Sequence, residues 1–248
     1  MTSHQSYDHA FVSRVQKMAM QSASVLVDIL MNMFSPRSVV DVGCGSGSWL
    51  RVLSERGVGR ILGFDGDWVS RDKLLIPAES FVSIDLSKDV PAVTGYDLAI
   101  SLEVAEHLPE TMAGKLIESL TKAAPVIVFS AAIPGQGGTN HINLQWPWYW
   151  RELFRGEGYV CCDPIRPLLW CDERVDWVYR QNIYVFLSEQ AFRLHPDLAK
   201  YQIVNNGQER LTVIDERILR SHGTPDAQSM SVLMGAIVKK IRRRMQRA

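Results

Sequence analysis

Apolar positions along this chain recur in two rhythms, short runs that end in an acid or a glycine and longer stretches with helical spacing. The short runs are Val39-Val40-Asp41-Val42, Ile61-Leu62-Gly63-Phe64-Asp65, Phe81-Val82-Ser83-Ile84-Asp85-Leu86, Tyr96 to Leu102, and Val126 to Ser130. Bounded by turn-forming residues, they read as buried strands. Between and around them the spacing predicts a leading helix over Phe11 to Met33, stopped by Ser35-Pro36, a helix over Thr111 to Thr121, and one over Trp148 to Glu157 closed by Gly158. Two further apolar runs, Tyr159 to Cys162 and Asn182 to Leu187, supply the last two strands. Strands alternating with helices predict an α/β fold around a mostly parallel sheet. The segment from Asp163 to Arg180 holds Pro164, Pro167, Trp170 and Trp177 and is too long for a tight hairpin, so it reads as a substrate-side insertion.

The first strand runs directly into Gly43-Cys44-Gly45-Ser46-Gly47. Glycines at alternate positions let the backbone turn sharply and approach a ligand without interference from Cβ atoms. Asp65 closes the next strand at the spacing of a βαβ unit, where a carboxylate binds both hydroxyls of a ribose. Asp85 closes the third run in the same way. These residues resemble the class I S-adenosylmethionine-dependent methyltransferases, whose loop has this Gly-x-Gly-x-Gly form, and the resemblance covers roughly residues 20 to 190. It implies a Rossmann-like fold with a seven-stranded, mostly parallel sheet, an antiparallel edge strand and helices on both faces, and S-adenosylmethionine as cofactor. It also implies the binding residues: Asp41, Gly43, Cys44, Gly45 and Gly47 at the loop, Asp65 and Gly66 at the ribose, Asp85 and Leu86 at the adenine, and Leu102 and Glu103 at the end of the fourth strand.

Glu103-Val104-Ala105-Glu106-His107 follows that fourth strand, where a doubly wound sheet presents its chemistry. On a helical turn, Glu103, Glu106 and His107 would share a face, and His141 lies in the loop after the fifth strand. The set suits a divalent ion such as Mg²⁺. It is similar to the metal site of small-RNA 3′-terminal 2′-O-methyltransferases and to the acidic cluster of ubiquinone-pathway O-methyltransferases. The competing reading keeps His107 as a packing or hydrogen-bonding residue with no metal. For catalysis the candidates are His141, His107 and Glu106, because a sugar hydroxyl must lose its proton as the methyl arrives. The loop around His141 adds polar Gln136, Asn140 and Asn143, and the rings of Trp146, Trp148, Tyr149 and Trp150 offer faces on which sugars and bases stack. With Arg166 to Trp170 and Trp177 to Asn182, this loop resembles bacterial methyltransferases associated with surface-polysaccharide and glycan assembly, which implies O-methylation of a sugar hydroxyl.

Composition narrows the picture only a little. The chain has 248 residues, with 27 basic and 27 acidic side chains, so overall charge gives no pull toward nucleic acid. Cys44, Cys161, Cys162 and Cys171 lack Cys-x-x-Cys spacing, which favours free thiols and a cytoplasmic protein. No run approaches the ~18 apolar residues of a membrane span, and no leader precedes the first helix. The expected organisation is a methyltransferase domain over 1–190, opened by a helical lid over about 1–35, and a helical extension over 191–248. That extension ends in a basic amphipathic segment with Leu233, Ile237, Ile241 and Met245 at steps of four and Lys and Arg crowded between Lys239 and Arg247. The segment suits either peripheral contact with an anionic membrane, fitting a lipid-linked glycan acceptor, or packing on the domain or a second subunit. Three functions stay open: a glycan or sugar O-methyltransferase, a methyltransferase of another small molecule or an RNA 3′ end, and a noncatalytic cofactor-binding partner. Basic residues concentrated in the tail disfavour RNA, and the intact loop and strand-end acids disfavour the noncatalytic protein.

Overall fold

The computed structural model describes residues 9–204 and 214–215, with side chains from residue 16 onward. The basic segment at Lys239–Arg247, and most of the extension expected over 191–248, lie outside the described residues.

Seven strands, β1 (Ser38–Val42), β2 (Arg60–Asp65), β3 (Phe81–Ser83), β4 (Leu98–Leu102), β5 (Val126–Ser130), β6 (Tyr159–Cys162) and β7 (Tyr184–Ser188), form one sheet in the order β3-β2-β1-β4-β5-β7-β6. The first five are parallel, and β7 enters between β5 and β6 antiparallel to both. Every residue of β1, β4 and β5 is buried, as expected of central strands covered by helices on both faces. Two hydrogen-bond sets pin β1 against β4. Asp97 accepts from the backbone N–H groups of Arg37 and Ser38 at the start of the pair, and the Ser101 hydroxyl donates to the Val42 carbonyl at its end. This register delivers the glycine loop and the end of β4 side by side.

The helices are α1 (His9–Phe34), α2 (Ser48–Glu55), α3 (Glu110–Ala123), α4 (Pro147–Gly156), α5 (Arg166–Leu169), α6 (Trp177–Asn182) and α7 (Glu189–Leu194). Ala23, Leu26, Val27 and Leu30 of α1 are fully buried in the core on one face of the sheet, so the later part of the helix read as a lid is core. On the other face α3 and α4 pack around Phe129, Phe154 and Phe186, the last two stacked with ring centroids 3.8 Å apart. Trp150 is buried there against Phe129, so it is not available to an acceptor. The insertion forms α5 and α6 and buries Ile165, Leu169 and Val175 with α1, while the Asp176 N–H donates to Ser22 Oγ of that helix. Packing continues past residue 190, since Leu198 and Ile203 are buried and the Ile203 N–H donates to the Cys161 carbonyl. Among the described residues no helix is long and apolar enough to cross a membrane.

Candidate active site

The glycine loop leaves β1 with Gly43, Gly45 and Gly47 all at positive φ, a conformation that side chains other than glycine resist. A Cβ on Gly43 would lie 2.2 Å from Val104 Cγ2, so the loop and the exit of β4 touch and only hydrogen fits between them. Above Gly45 there is open space, since a Cβ there would meet nothing within 4 Å. Asp65 reaches back from β2 to accept from the Gly45 N–H at 2.7 Å, and it also accepts from the Gly66 N–H. Burial pushes the Asp65 carboxyl above its ordinary pKa, and these N–H groups partly offset the effect. Asp41 is raised well above its usual range by burial and then by Asp65, and its Oδ2 has no hydrogen-bond partner. The Cys44 thiol is pushed up by burial and packs against Gly63, which makes it a spacer and not a nucleophile. Leu86 and Leu102 are buried, and Gly66 follows Asp65 directly under the Trp68 ring. Asp85 folds onto its own turn, accepting from Ser87 and Lys88, because β3 ends at Ser83, three residues sooner than the apolar run suggests.

A floor of buried acceptors, open space over Gly45 and carboxylates at the ends of β1 and β2 suit a cofactor that carries a ribose and positive charge. The sequence matches the methyltransferase-domain family over residues 16–182. The chain belongs to that family and is an S-adenosylmethionine-dependent methyltransferase. No protein of curated function matches it. Among solved structures, it is similar to the methyltransferase domain of a bacterial protein, CtHen1-C, at 20% identity and TM-score 0.51, covering 68% of this chain and 98% of that one. It is also similar to Streptomyces venezuelae DesVI, at 14% identity and TM-score 0.56 over 73% of this chain and 99% of that one. An O-methyltransferase family protein from Burkholderia thailandensis aligns at 15% identity and TM-score 0.53, over 73% of this chain and 60% of that one. These likenesses are in fold, and they accord with the seven-stranded mixed sheet of this methyltransferase.

Beyond the cofactor loop, the two acids after β4 part company. Glu103 sits in the left-handed region at φ 56°, and its N–H donates to the Ser130 carbonyl at the end of β5. Its carboxylate accepts from Gln136 Nε2 at 2.9 Å and from Asn182 Nδ2 at 3.0 Å. Burial raises the Glu103 pKa to about 7 against the pull of these hydrogen bonds. Glu106 and His107 lie on a separate 3-10 turn, Ala105–His107. Glu106, His107 and His141 place one ligand atom each within 4.8 Å of one another. Glu103 does not join them, which corrects the expected four-ligand set: the backbone leaves helical geometry at Glu103 and turns its carboxylate to Asn182 and Gln136, so no common helical face exists.

Within the trio, Glu106 is fully buried; the backbone N–H groups of Glu106 and Ala132 approach its carboxylate without closing a well-formed hydrogen bond, and no side chain donates to it. Burial, followed by the nearby Glu103, drives its pKa well up. The His107 and His141 rings meet edge to face with centroids 4.8 Å apart. Both have lowered pKa values, chiefly through burial, so both are neutral at pH 7 with a lone pair to offer. Their positions come from the loop: His107 is hydrogen-bonded to the backbone of Asn140 and His141 to that of Gly137, while His141 Nδ1 stays unpartnered. Gly137 and Gly138 take positive φ to wrap that loop, and a Cβ on Gly138 would fall 2.2 Å from the His141 ring. Ile142 and Asn143 donate their N–H groups to the Glu106 carbonyl, tying the loop to the turn. The sequence does not single out Asn182 as a site residue: it reads as the first residue of the last strand, whereas it closes α6 and β7 begins at Tyr184, and a lone asparagine has no spacing to read.

Proposed function

We propose that this methyltransferase transfers the methyl group of S-adenosylmethionine to a sugar hydroxyl that stands next to a second oxygen, with a divalent cation at Glu106, His107 and His141. The observation that carries the reading is the buried Glu106 carboxylate, without a side-chain donor, beside two neutral imidazoles. Leaving a buried carboxylate without a partner is costly, and a cation with imidazole and carboxylate ligands removes that cost. One carboxylate oxygen and two imidazole nitrogens fit such an ion, which when bound would lower the pKa of an acceptor hydroxyl. Asp65 and the Gly43–Gly47 turn hold the cofactor so that its methyl faces that hydroxyl. Alignment of oxygen, methyl carbon and sulfur then supplies most of the rate. Because both imidazoles would spend their one free lone pair on the ion, the hydroxyl proton would leave to solvent as the methyl is transferred; only without the ion would His141 or His107 take it.

Vicinal oxygens are what sugars offer in quantity, and exposed Ile142 and Trp148, close in sequence to His141, supply apolar surface for a sugar ring. The basic stretch at Lys239–Arg247 favours a lipid-linked glycan among such acceptors. A terminal ribose of RNA carries the same pair of oxygens and is the second reading, supported by the resemblance of the Glu-x-x-Glu-His and His141 pattern to small-RNA 3′-terminal methyltransferases.

The test is release of S-adenosylhomocysteine in the presence of nucleotide-sugars, lipid-linked glycans, phenols and short RNAs, with Mg²⁺ or Mn²⁺ and after chelation. Turnover on a saccharide, lost on chelation and restored by metal, is the expected result. Turnover on phenols or RNA alone would overturn the saccharide acceptor, and chelation-insensitive turnover would overturn the metal.

A further inference from the structure

Arg180 of α6 is a buried cation that the proposed chemistry leaves unused. Two other arginines of the insertion are neutralised by acids: Arg166 holds Asp163 at 3.0 Å, and Arg174 holds Asp172 at 2.6 Å. Arg180 is only 5% exposed, yet among the described residues no acid pairs with it. Its Nη1 donates to the Trp170 carbonyl at 2.9 Å, and its buried Nε has no partner. The carboxyl of Asp172 is lowered chiefly by hydrogen bonds from Arg174, and only last by the charge of Arg180. A guanidinium carries five N–H donors in a flat fork that matches the paired oxygens of a phosphate or a carboxylate. Buried with one of those donors used, it calls for an anion.

Two anchors place α6 beside the ends of the central strands. The Tyr179 ring meets Trp49, at the start of α2 just past the glycine loop, with centroids 5.1 Å apart. Asn182 Nδ2 donates to Glu103 at the end of β4. Arg180 lies between these anchors, and its bond to Trp170 ties it to the end of α5. Trp170 is half-buried and Cys171 next to it is exposed, so this corner of the insertion borders solvent. Methyl transfer takes place over the same strand ends, which brings an acceptor beside α6. We propose, resting on the saccharide acceptor argued above, that Arg180 binds an oxyanion of that acceptor, so that the substrate is an acidic saccharide. Lipid-linked and nucleotide-linked saccharides carry phosphate, and uronic acids carry carboxylate. The fork of Arg180 pairs two N–H groups with either.

Calorimetry on the full chain, saturated with S-adenosylhomocysteine and free of metal, titrates inorganic phosphate and acetate as probes of the two oxyanions. The parent should bind at least one of them at a single site, and Arg180→Gln, whose amide still offers a donor, should weaken it about 10-fold or more. Should Arg180→Gln not fold, Arg180→Lys keeps the charge without the fork and should lose about 3-fold or more. Parent-like affinity in the variant that folds, or no binding of either anion by the parent, would overturn the oxyanion site. S-adenosylhomocysteine affinity should stay within about two-fold of the parent's, and a fall of about 10-fold would give Arg180 to the cofactor and overturn its acceptor role. In turnover assays with Mn²⁺, the variant should raise KM for nucleotide-sugars or uronates about 10-fold, with kcat little changed and neutral saccharides spared. An equal loss on neutral saccharides would show a merely structural arginine. A parent that binds phosphate but turns over no saccharide would overturn the saccharide reading and not the oxyanion site.

Discussion

Glu103 and Glu106 are the same residue type, three positions apart at the end of one strand, yet they occupy opposite electrostatic situations. Glu103 is hydrogen-bonded by Asn182 and Gln136, while Glu106 is buried beside two imidazoles with no side-chain donor. The difference begins in the backbone. Glu103 takes the left-handed conformation and sends its side chain across to α6, and the chain then tightens into the 3-10 turn that aims Glu106 at the histidines. In the proposed reading Glu106 belongs to the acceptor side, while Glu103, fixed by its amide partners, does not share that role.

The largest effect should come from Glu106→Gln. Steady-state assays with Mn²⁺ should show turnover lowered by at least ~10²-fold while calorimetry finds S-adenosylhomocysteine affinity unchanged, since the loss belongs to the acceptor side. If affinity for the product fell as far as turnover, Glu106 would belong with Glu103. Asp65→Ala comes next. It removes the acceptor for the Gly45 and Gly66 N–H groups and for the ribose, and about a 10-fold to 100-fold loss of cofactor affinity is expected. Affinity equal to the parent's would remove the ribose role.

Gly138→Ala should act on the loop that carries His141, both at its backbone and at the ring. The new Cβ would sit 2.2 Å from the ring at a residue with φ 126°, so the imidazole must move. Turnover should drop about 10-fold with cofactor binding retained, and a parent-like rate would show that the loop does not position the histidine.

The smallest effect separates the two acids by pH. The Glu103 pKa is raised from 4.5 to about 7, so between those values the folded protein holds a proton that the unfolded chain has lost. Stability from this group is therefore lost as pH rises from about 4.5 to about 7, and the cost persists above that. Denaturant unfolding of Glu103→Gln should show a shallower decline across that window than the parent shows. An identical slope would mean the carboxylate is better solvated than its burial indicates.

The half of the molecule that holds the cofactor was legible because its chemistry is written in local order. Apolar runs ending in Asp41 and Asp65, with glycines at alternate positions, admit few other structures, and β1, β2, β4 and β5 lie where those runs place them. The third run misled in length, since Asp85 bonds to Ser87 and Lys88 and draws the chain off the sheet after Ser83. The acceptor half was less legible because its contacts are long-range. That His141 meets Glu106 and His107 depends on Gly137, Gly138 and the bonds from Ile142 and Asn143 to the Glu106 carbonyl, and only the residue types were visible beforehand. The left-handed turn at Glu103 and its partner Asn182, 79 positions away, leave no trace in local spacing.

The most direct test of the division between the two acids is Mn²⁺ titration of the full chain, followed by calorimetry or by the paramagnetic signal of free manganese, in the parent, Glu106→Gln and Glu103→Gln. One site is expected in the parent, lost in Glu106→Gln and kept with little change in Glu103→Gln. Equal loss in both variants, or a parent that binds no metal, would contradict it.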